Sequence, residues 1–518
     1  MRQPRISRRA MLLGGGAVAA WAAAPARALL AAAAADPLAP ELESLIARMT
    51  VEEKAGQVTL MAAAWAGAAA NALNPGAGSA SHRQQLADVR AGRIGGLFNG
   101  NGAAMAREMQ LAAVRDSRLK IPLIFAADVI HGFRTVFPMP LAEAGSFDPE
   151  LAERTARIAA VEATAAGIDW NFAPMVDVAR DQRWGRGIEG AGEDVLLGRL
   201  MAAARVRGFQ GRRGLQAEDA MAACAKHFAA YGAAEGGLDY AAVDLSERTL
   251  REVYFPPFQA AFAADAATTM AAFNELSGIP ATANPWLLSD VLRREWGFDG
   301  LVVSDYTADL ELIAHGYAAD EREAAKLAFL AGVDMSMQSG LYVRHLPGLV
   351  AAGEVPMARL DEAVGRVLRL KAKLGLFDDP FRRIDPRREQ QRVRTPAHLA
   401  AARDAARRSI VLLRNEGELL PLPRSGKRIA LIGPFAQGQR ELIGPWNVYG
   451  SDAEAVDLLT GMRALVADPA LVTAVDGAEI EAPIPGGIDA AVVAARAADI
   501  VVLAIGEGQR MSGEAQSR

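Results

Sequence analysis

Five times along this chain a short apolar run ends abruptly in a cluster of polar or ionisable side chains. LIFAADVIHG ends in Asp128 and His131, and WNFAPMVDVARDQRWGRGIE carries Asp177, Arg183 and Arg186. MAACAKHFAAYG delivers Lys226 and His227, TTMAAFNELSG delivers Met270, Phe273 and Asn274, and GFDGLVVSDY runs Leu301-Val302-Val303 into Ser304 and Asp305. Between them lie stretches with Ala, Leu, Arg and Glu at helical spacing, for example Pro149 to Ala166 and Ser246 to Ala264. This alternation predicts an α/β fold, a (β/α)8 TIM-like barrel over residues 36–378, whose strand-end loops converge on one face.

A carboxylate placed where a buried strand ends is held rigidly and solvated poorly, which suits a nucleophile or a general base. Alone, Asp305 reads equally well as the cap of a helix starting near Tyr306. The company of the other four clusters tips the balance toward a site. Carboxylates, arginine, lysine and histidine without a phosphate-binding loop fit a neutral polyol. The six histidines, His82, His131, His227, His315, His345 and His398, form no HxH, HExxH or close His/Asp cluster. Metal-assisted hydrolysis is therefore disfavoured, and no metal or cofactor is expected. A net charge of −5 gives no basic field for nucleic acid or anionic membranes. Cys224 is the sole cysteine, so no intrachain disulfide can form, and between Ala223 and Ala225 it reads as a small buried strand residue.

At 518 residues the chain is long enough for a barrel and a second domain. Ala358 to Phe377 reads as a long amphipathic helix ending at Gly375, and the charged, proline-bearing stretch after it reads as a linker over residues 379–395. Residues 396–518 begin with a helix, HLAAARDAARRSIVLL, followed by the apolar strands RIALIGP and DIVVLAIGEGQ. Strand and helix alternating afresh after a linker predict a separate α/β three-layer sandwich. At the other end, Ser7-Arg8-Arg9 precedes an uncharged stretch from Ala10 to Ala24, and Ala26-Arg27-Ala28 offers a cleavage site. Residues 1–35 thus read as a twin-arginine signal peptide and the mature N-terminal tail, which predicts export to the periplasm, or secretion, without stable membrane insertion. Pro25 and Arg27 interrupt an apolar run too short for a permanent anchor.

The segments MTVEEKAGQV, DVIHG, RWGRGIEGAGED, CAKHFAAYG, FNELSGIPATAN, GFDGLVVSDY, AGVDMSM and SIVLLRNEGELLPL resemble, in this order, those of the family 3 glycoside hydrolases of the periplasmic bacterial beta-glucosidase type. They span almost the whole mature chain. The resemblance implies a retaining, exo-acting beta-glycosidase that hydrolyses terminal non-reducing beta-D-glucosyl residues through a covalent intermediate. Its substrate would be an oligosaccharide or an aryl beta-glucoside; a homodimer is compatible with the reading. A beta-xylosidase or another beta-glycosidase of the family is the alternative. The second domain of the resembling family continues further, so this chain reads as C-terminally truncated. Its unfinished sheet is expected to expose strand edges and apolar faces, and an inactive sugar-binding remnant is the non-enzymatic alternative.

Retention requires two carboxyl groups about 5 to 5.5 Å apart, one attacking the anomeric carbon and one protonating the departing oxygen. The resemblance makes Asp305 the nucleophile and Glu514, in MSGEAQSR, the acid/base, with Glu507 as its rival. Lying close to the last residue, Glu514 is expected to be poorly held. By the same resemblance Asp128, Arg186, Lys226, His227, Met270 and Tyr306 surround the sugar. Blander readings exist: Arg183 and Arg186 can brace a loop through Glu189, Glu193 or Asp194, and His131 can satisfy a buried backbone carbonyl. The family often has tryptophan where this chain has Tyr306 and tyrosine where it has Phe273. Its N-acetylglucosaminidase branch uses a histidine-aspartate dyad and lacks a second domain, whereas this chain carries Glu514 and a second domain.

Overall fold

A computed structural model describes residues 38–65 and 81–517. The export segment inferred around Arg8 and Arg9 lies outside the described residues. The strands in chain order are β1 (Thr59–Ala62), β2 (Gly96–Phe98), β3 (Ile124–Ala127), β4 (Trp170–Asn171), β5 (Cys224–Phe228), β6 (Thr268–Ala271), a short antiparallel hairpin β7 (Glu275–Leu276) and β8 (Ile279–Pro280), then β9 (Leu301–Tyr306) and β10 (Met335–Met337). Eight of them form one parallel sheet in the order β4-β3-β2-β1-β10-β9-β6-β5. Bridges between Trp170 and Ala222 and between Met175 and Lys226 bring β4 and β5 together, so the sheet is an almost closed barrel with its strands in chain order. Strands such as Ile124-Phe125-Ala126-Ala127 are buried throughout, as expected of a parallel sheet covered by helices. Cys224 lies buried in β5.

The helix Pro149–Ala165 starts where the sequence predicts it: Asp148 accepts from the N–H groups of Glu150 and Leu151, and Pro149 occupies the first turn. It packs on Val195–Gln210 through small residues; a Cβ on Gly208 would stand 2.4 Å from the Glu153 carbonyl oxygen. The stretch from Ser246 to Ala264 is not one helix. A helical turn Glu247–Thr249 passes into a wider-wound segment Leu250–Tyr254, and a new helix Pro256–Ala263 starts at a proline that cannot donate into the preceding turn. Asp305 lies within β9, and the next helical turn, Leu310–Leu312, is capped by Asp309 instead.

At the N-terminal face of the barrel, buried Asp334 accepts from Arg293, Arg359 and Arg366 at 2.7 to 3.0 Å and from Val302 N at 3.0 Å. Arg383, within the charged stretch after Phe377, is buried and donates to Asp169 at 3.2 Å and to the Ala220 carbonyl at 2.9 Å. That stretch is thereby strapped across the barrel. The helix expected over HLAAARDAARRSIVLL ends at Arg408, and Ile410 to Leu413 run on exposed.

A second parallel sheet contains β11 (Ile429–Ile432), β12 (Val472–Val475) and β13 (Ile500–Leu503), with β11 in the middle. Helix Gly487–Ala497 packs on it. β13 has one paired edge, and Leu503 is 62% exposed, in line with the expected open apolar surface. Two buried groups tie the segments around this sheet to the barrel, one before it and one in the loop after β11. Glu162 accepts from Thr135 N and Oγ1, Arg394 N and His398 Nδ1 at 2.6 to 2.9 Å. His131 spans the Phe137 and Pro445 carbonyl oxygens, each at 2.8 Å, so the backbone-satisfying reading of His131 is what the structure shows. Among the described residues no helix is long and apolar enough to cross a membrane.

Candidate active site

The C-terminal ends of β3, β5 and β9 converge, as barrel geometry requires, and they carry the charged residues that the sequence singled out. β9 fixes Asp305: Leu301 to Ser304 are buried, and the Ser304 hydroxyl accepts from Met337 N at 2.8 Å, clamping it to β10. Asp305 Oδ1 accepts from Tyr306 N at 2.7 Å. Oδ2 accepts no hydrogen bond among the described residues and stands 3.6 Å from His227 Nε2. Burial pushes the Asp305 pKa above the ordinary carboxylate range, Glu514 adds to the rise, and the cations Arg186 and Lys226 oppose it.

His227 is held on its other side by Asp177, whose Oδ2 lies 2.9 Å from both the backbone nitrogen and Nδ1 of His227. Its Nε2 is 2.7 Å from Arg186 Nη2. A guanidinium can only donate, so Nε2 accepts, Nδ1 carries the proton, and the imidazole is neutral. Burial, reinforced by Arg186 and Lys226, holds the His227 pKa well below its usual value. Burial also lifts Asp177 to about 7.

Arg186 lies in the turn Gly185–Glu189 and is buried. It forks onto Glu189 at 2.8 and 3.2 Å, so the loop-bracing reading is correct as far as it goes. The same guanidinium also reaches His227 and directs Nη1 at Glu514 Oε1, 3.5 Å away. Arg183, in contrast, pairs with Asp181 in solvent. Lys226 Nζ is 3.3 Å from Asp128 Oδ1, and Asn99 Nδ2 donates to Asp128 Oδ2 at 2.9 Å.

Glu514 sits in a segment laid along the barrel. Gly513 N donates to the Gly185 carbonyl at 2.8 Å, Gly185 N to the Gln516 carbonyl at 3.0 Å, and Ala515 N to Asp239 Oδ2 at 2.7 Å. A Cβ on Gly185 would lie 2.4 Å from the Gln516 oxygen, so this contact demands glycine. The Tyr240 hydroxyl donates to Glu514 Oε1 at 2.8 Å. The expectation of a poorly held Glu514 is thus corrected: the barrel surface supplies the grip. Burial raises the Glu514 pKa, with Arg186 opposing. Glu507 is exposed and accepts from Ser512 Oγ at 3.4 Å.

Asp128, Arg186, Lys226, His227, Asp305 and Glu514 therefore form one connected cluster. Tyr306 is half-buried with its ring edge-on to Phe98 at 6.3 Å, and Met270 is buried in the apolar core beside Val303. Two members escaped the sequence reading. Trp446, from the loop after β11, covers Lys226 and Arg186, its ring centre 5.2 and 5.6 Å from their charged ends. Tyr240 lies in a loop without strand or helix periodicity. Aromatics flanked by glycines, in GPWNVYG and GGLDY, were the only signals. Among the described residues no group of three His, Cys, Asp or Glu side chains is arranged to hold a metal ion.

The chain matches the glycosyl hydrolase family 3 N terminal domain over residues 50–370 and the C-terminal domain of the same family over residues 410–518. It belongs to glycosyl hydrolase family 3. This family 3 chain is 42% identical over 511 residues to a periplasmic beta-glucosidase of Salmonella typhimurium, covering 93% of itself and 65% of that protein. It is 35% identical to a beta-xylosidase of Formosa agariphila, covering 79% of itself and 60% of that protein. A beta-glucosidase from Listeria innocua, solved in complex with isofagomine, superposes with a TM-score of 0.84 at 40% identity, over 92% of this chain and 65% of that one. The family 3 chain thus spans 60 to 65% of the length of these relatives.

Proposed function

We propose that this family 3 protein is a retaining, exo-acting beta-glucosidase that releases terminal beta-D-glucosyl residues through a covalent glycosyl-enzyme intermediate. The observation that carries the reading is that two buried carboxyl groups, Asp305 and Glu514, belong to one cluster at the strand ends, Glu514 3.5 Å from Arg186 and Asp305 3.6 Å from His227, which Arg186 contacts in turn. Asp305 Oδ2, which accepts no hydrogen bond among the described residues, attacks the anomeric carbon while Glu514 gives its proton to the departing glycosidic oxygen, and the carbon–oxygen bond breaks. Glu514, now ionised, takes a proton from water as that water attacks the anomeric carbon and releases Asp305. Arg186 and Lys226 favour the ionised Asp305 needed for the first step, and burial favours a Glu514 that keeps its proton until then. Asp128, Arg186 and Lys226 offer charged hydrogen-bonding groups to the sugar hydroxyls, and His227, whose ring nitrogens are taken by Asp177 and Arg186, holds Arg186 in place.

The beta-xylosidase relative supports a second reading, in which the preferred sugar lacks a hydroxymethyl group. A panel of nitrophenyl glycosides separates them: the beta-glucoside is expected to be turned over fastest, and a faster beta-xyloside would transfer the assignment. Tight binding of a glucose-like iminosugar without turnover would favour the sugar-binding alternative. The name of the Salmonella relative supports a periplasmic location, and Arg8-Arg9 supports twin-arginine export. Replacing both arginines by lysine is expected to leave the protein in the cytoplasm; undiminished periplasmic protein would overturn the route.

A further inference from the structure

Two adjacent residues of one barrel loop grip the Glu514 segment, and they grip different parts of it. Asp239 takes the backbone: its Oδ2 accepts from Ala515 N at 2.7 Å, its Oδ1 accepts from Trp184 Nε1 at 2.7 Å, and its own N–H donates to Ser517 Oγ at 3.2 Å. Tyr240 takes the carboxyl group, its hydroxyl donating to Oε1 at 2.8 Å. The Tyr240 backbone is left-handed, with φ 64°, an uncommon conformation for an aromatic residue. Its ring stands edge-on to Phe273, centroids 5.2 Å apart, and tilts against Tyr231 at 6.3 Å. Arg186 Nη1 approaches the same carboxyl oxygen, at 3.5 Å. With Oε1 engaged from two sides, Oε2 is the oxygen left to exchange a proton.

We propose that Tyr240 is a positioning residue for Glu514, which fixes the oxygen that faces the leaving group and stabilises the carboxylate formed once the proton has been given away. The inference rests on the reading of Glu514 as the acid/base. The phenol keeps its own proton throughout. In the first step the proton passes from Glu514 to the glycosidic oxygen, and in the second it passes from water back to Glu514. Burial, and after it the neighbouring Glu514 carboxylate, hold the Tyr240 pKa above the ordinary phenol value, so the hydroxyl remains a donor across the working range.

Tyr240→Phe keeps the ring against Phe273 and removes only the hydroxyl; thermal unfolding of the purified complete protein checks that the fold is retained. A donor to a carboxylate lowers its pKa, so removing it raises the Glu514 pKa and moves the alkaline limb of kcat/KM to higher pH, by roughly one unit. On cellobiose, whose leaving group needs a proton, kcat/KM at neutral pH is expected to fall about tenfold. On a dinitrophenyl glucoside it should change less than about twofold. An unmoved alkaline limb, or equal losses on the two substrates, would overturn the proposal. Glu514→Ala, measured alongside, separates the two failures. If it lacks leaving-group dependence the acid/base reading fails, and if it shows that dependence while Tyr240→Phe does not, the Tyr240 inference alone fails.

Discussion

The described residues contain two parallel sheets, both built mainly from apolar strands, and they differ in how they hold what they carry. The barrel sheet is almost closed, and Leu301, Val302 and Val303, which lead to Asp305, are at most 2% exposed. The second sheet has three strands, and Val501 and Leu503 of its edge strand β13 face outward, 41% and 62% exposed. Asp305 takes its rigidity from its own strand. Glu514 lies beyond β13 and takes its rigidity from the barrel, through Gly185, Asp239 and Tyr240. Two carboxyl groups, one from a barrel strand and one from the segment beyond the second sheet, are thus fixed by one scaffold, which is what a two-carboxyl mechanism with a fixed separation needs.

The largest effect is expected at the strand-held carboxylate. Asp305→Asn in the complete protein should lower turnover by about 10⁴-fold or more while leaving sugar binding in place, since no covalent intermediate can form. In Asp305→Gly, azide should partly restore turnover of an activated glycoside. Near-normal hydrolysis by the asparagine variant would remove Asp305 from the mechanism.

The loop-held carboxyl comes next. Glu514→Ala should slow cleavage of cellobiose roughly 10²- to 10⁴-fold and that of a dinitrophenyl glucoside far less, because a good leaving group departs without a proton. Glu507→Ala should show no such dependence on the leaving group. Reversed behaviour of the two variants would make Glu507 the acid and would detach Glu514 from the barrel-held geometry described above.

The barrel and its strand ends were legible because buried parallel strands are continuous apolar runs, and a polar residue terminating such a run stands out. Asp128, Lys226, His227 and Asp305 all announce themselves in this way. Helix starts were legible where chemistry marks them, as Asp148-Pro149 does. The break within Ser246 to Ala264 was readable in principle from Pro256-Pro257 and was outweighed by helical spacing. Trp446 and Tyr240 were not legible, because their placement depends on how a loop packs against the barrel rather than on any period in the sequence. The grip on Glu514 was hidden for the same reason: Gly185 and Asp239 show no pattern until the two segments meet.

The junction between the two regions can be tested for stability. Glu162 is fully buried and gathers donors from Arg134, Thr135, Arg394 and His398. Glu162→Ala strands these donors without a partner and leaves a void, so a loss of about 3 kcal/mol in urea-unfolding stability is expected. A loss below about 1 kcal/mol would mean that water or a rearranged loop replaces the carboxylate, and that the segment from Arg394 to His398 is held to the barrel mainly elsewhere.

The smallest effect on stability is expected at the open edge, and there the contrast between the two sheets is most direct. Leu503 and Leu301 are both strand leucines in parallel sheets, yet one is 62% exposed and the other 2%. A lysine at Leu301 would place a charge in the closed core and should prevent folding, because no partner for it lies within a packed apolar strand. A lysine at Leu503 leaves the β11–β13 ladder intact, since that pairing runs through the backbone. It should change stability by no more than about 0.5 kcal/mol. Its visible consequence should be reduced self-association, measured by light scattering, because a charge on an edge strand disfavours pairing with another copy. A substantial loss of stability from Leu503→Lys would show that this face is covered in solution, and the difference drawn between a closed and an open sheet would then have to be abandoned.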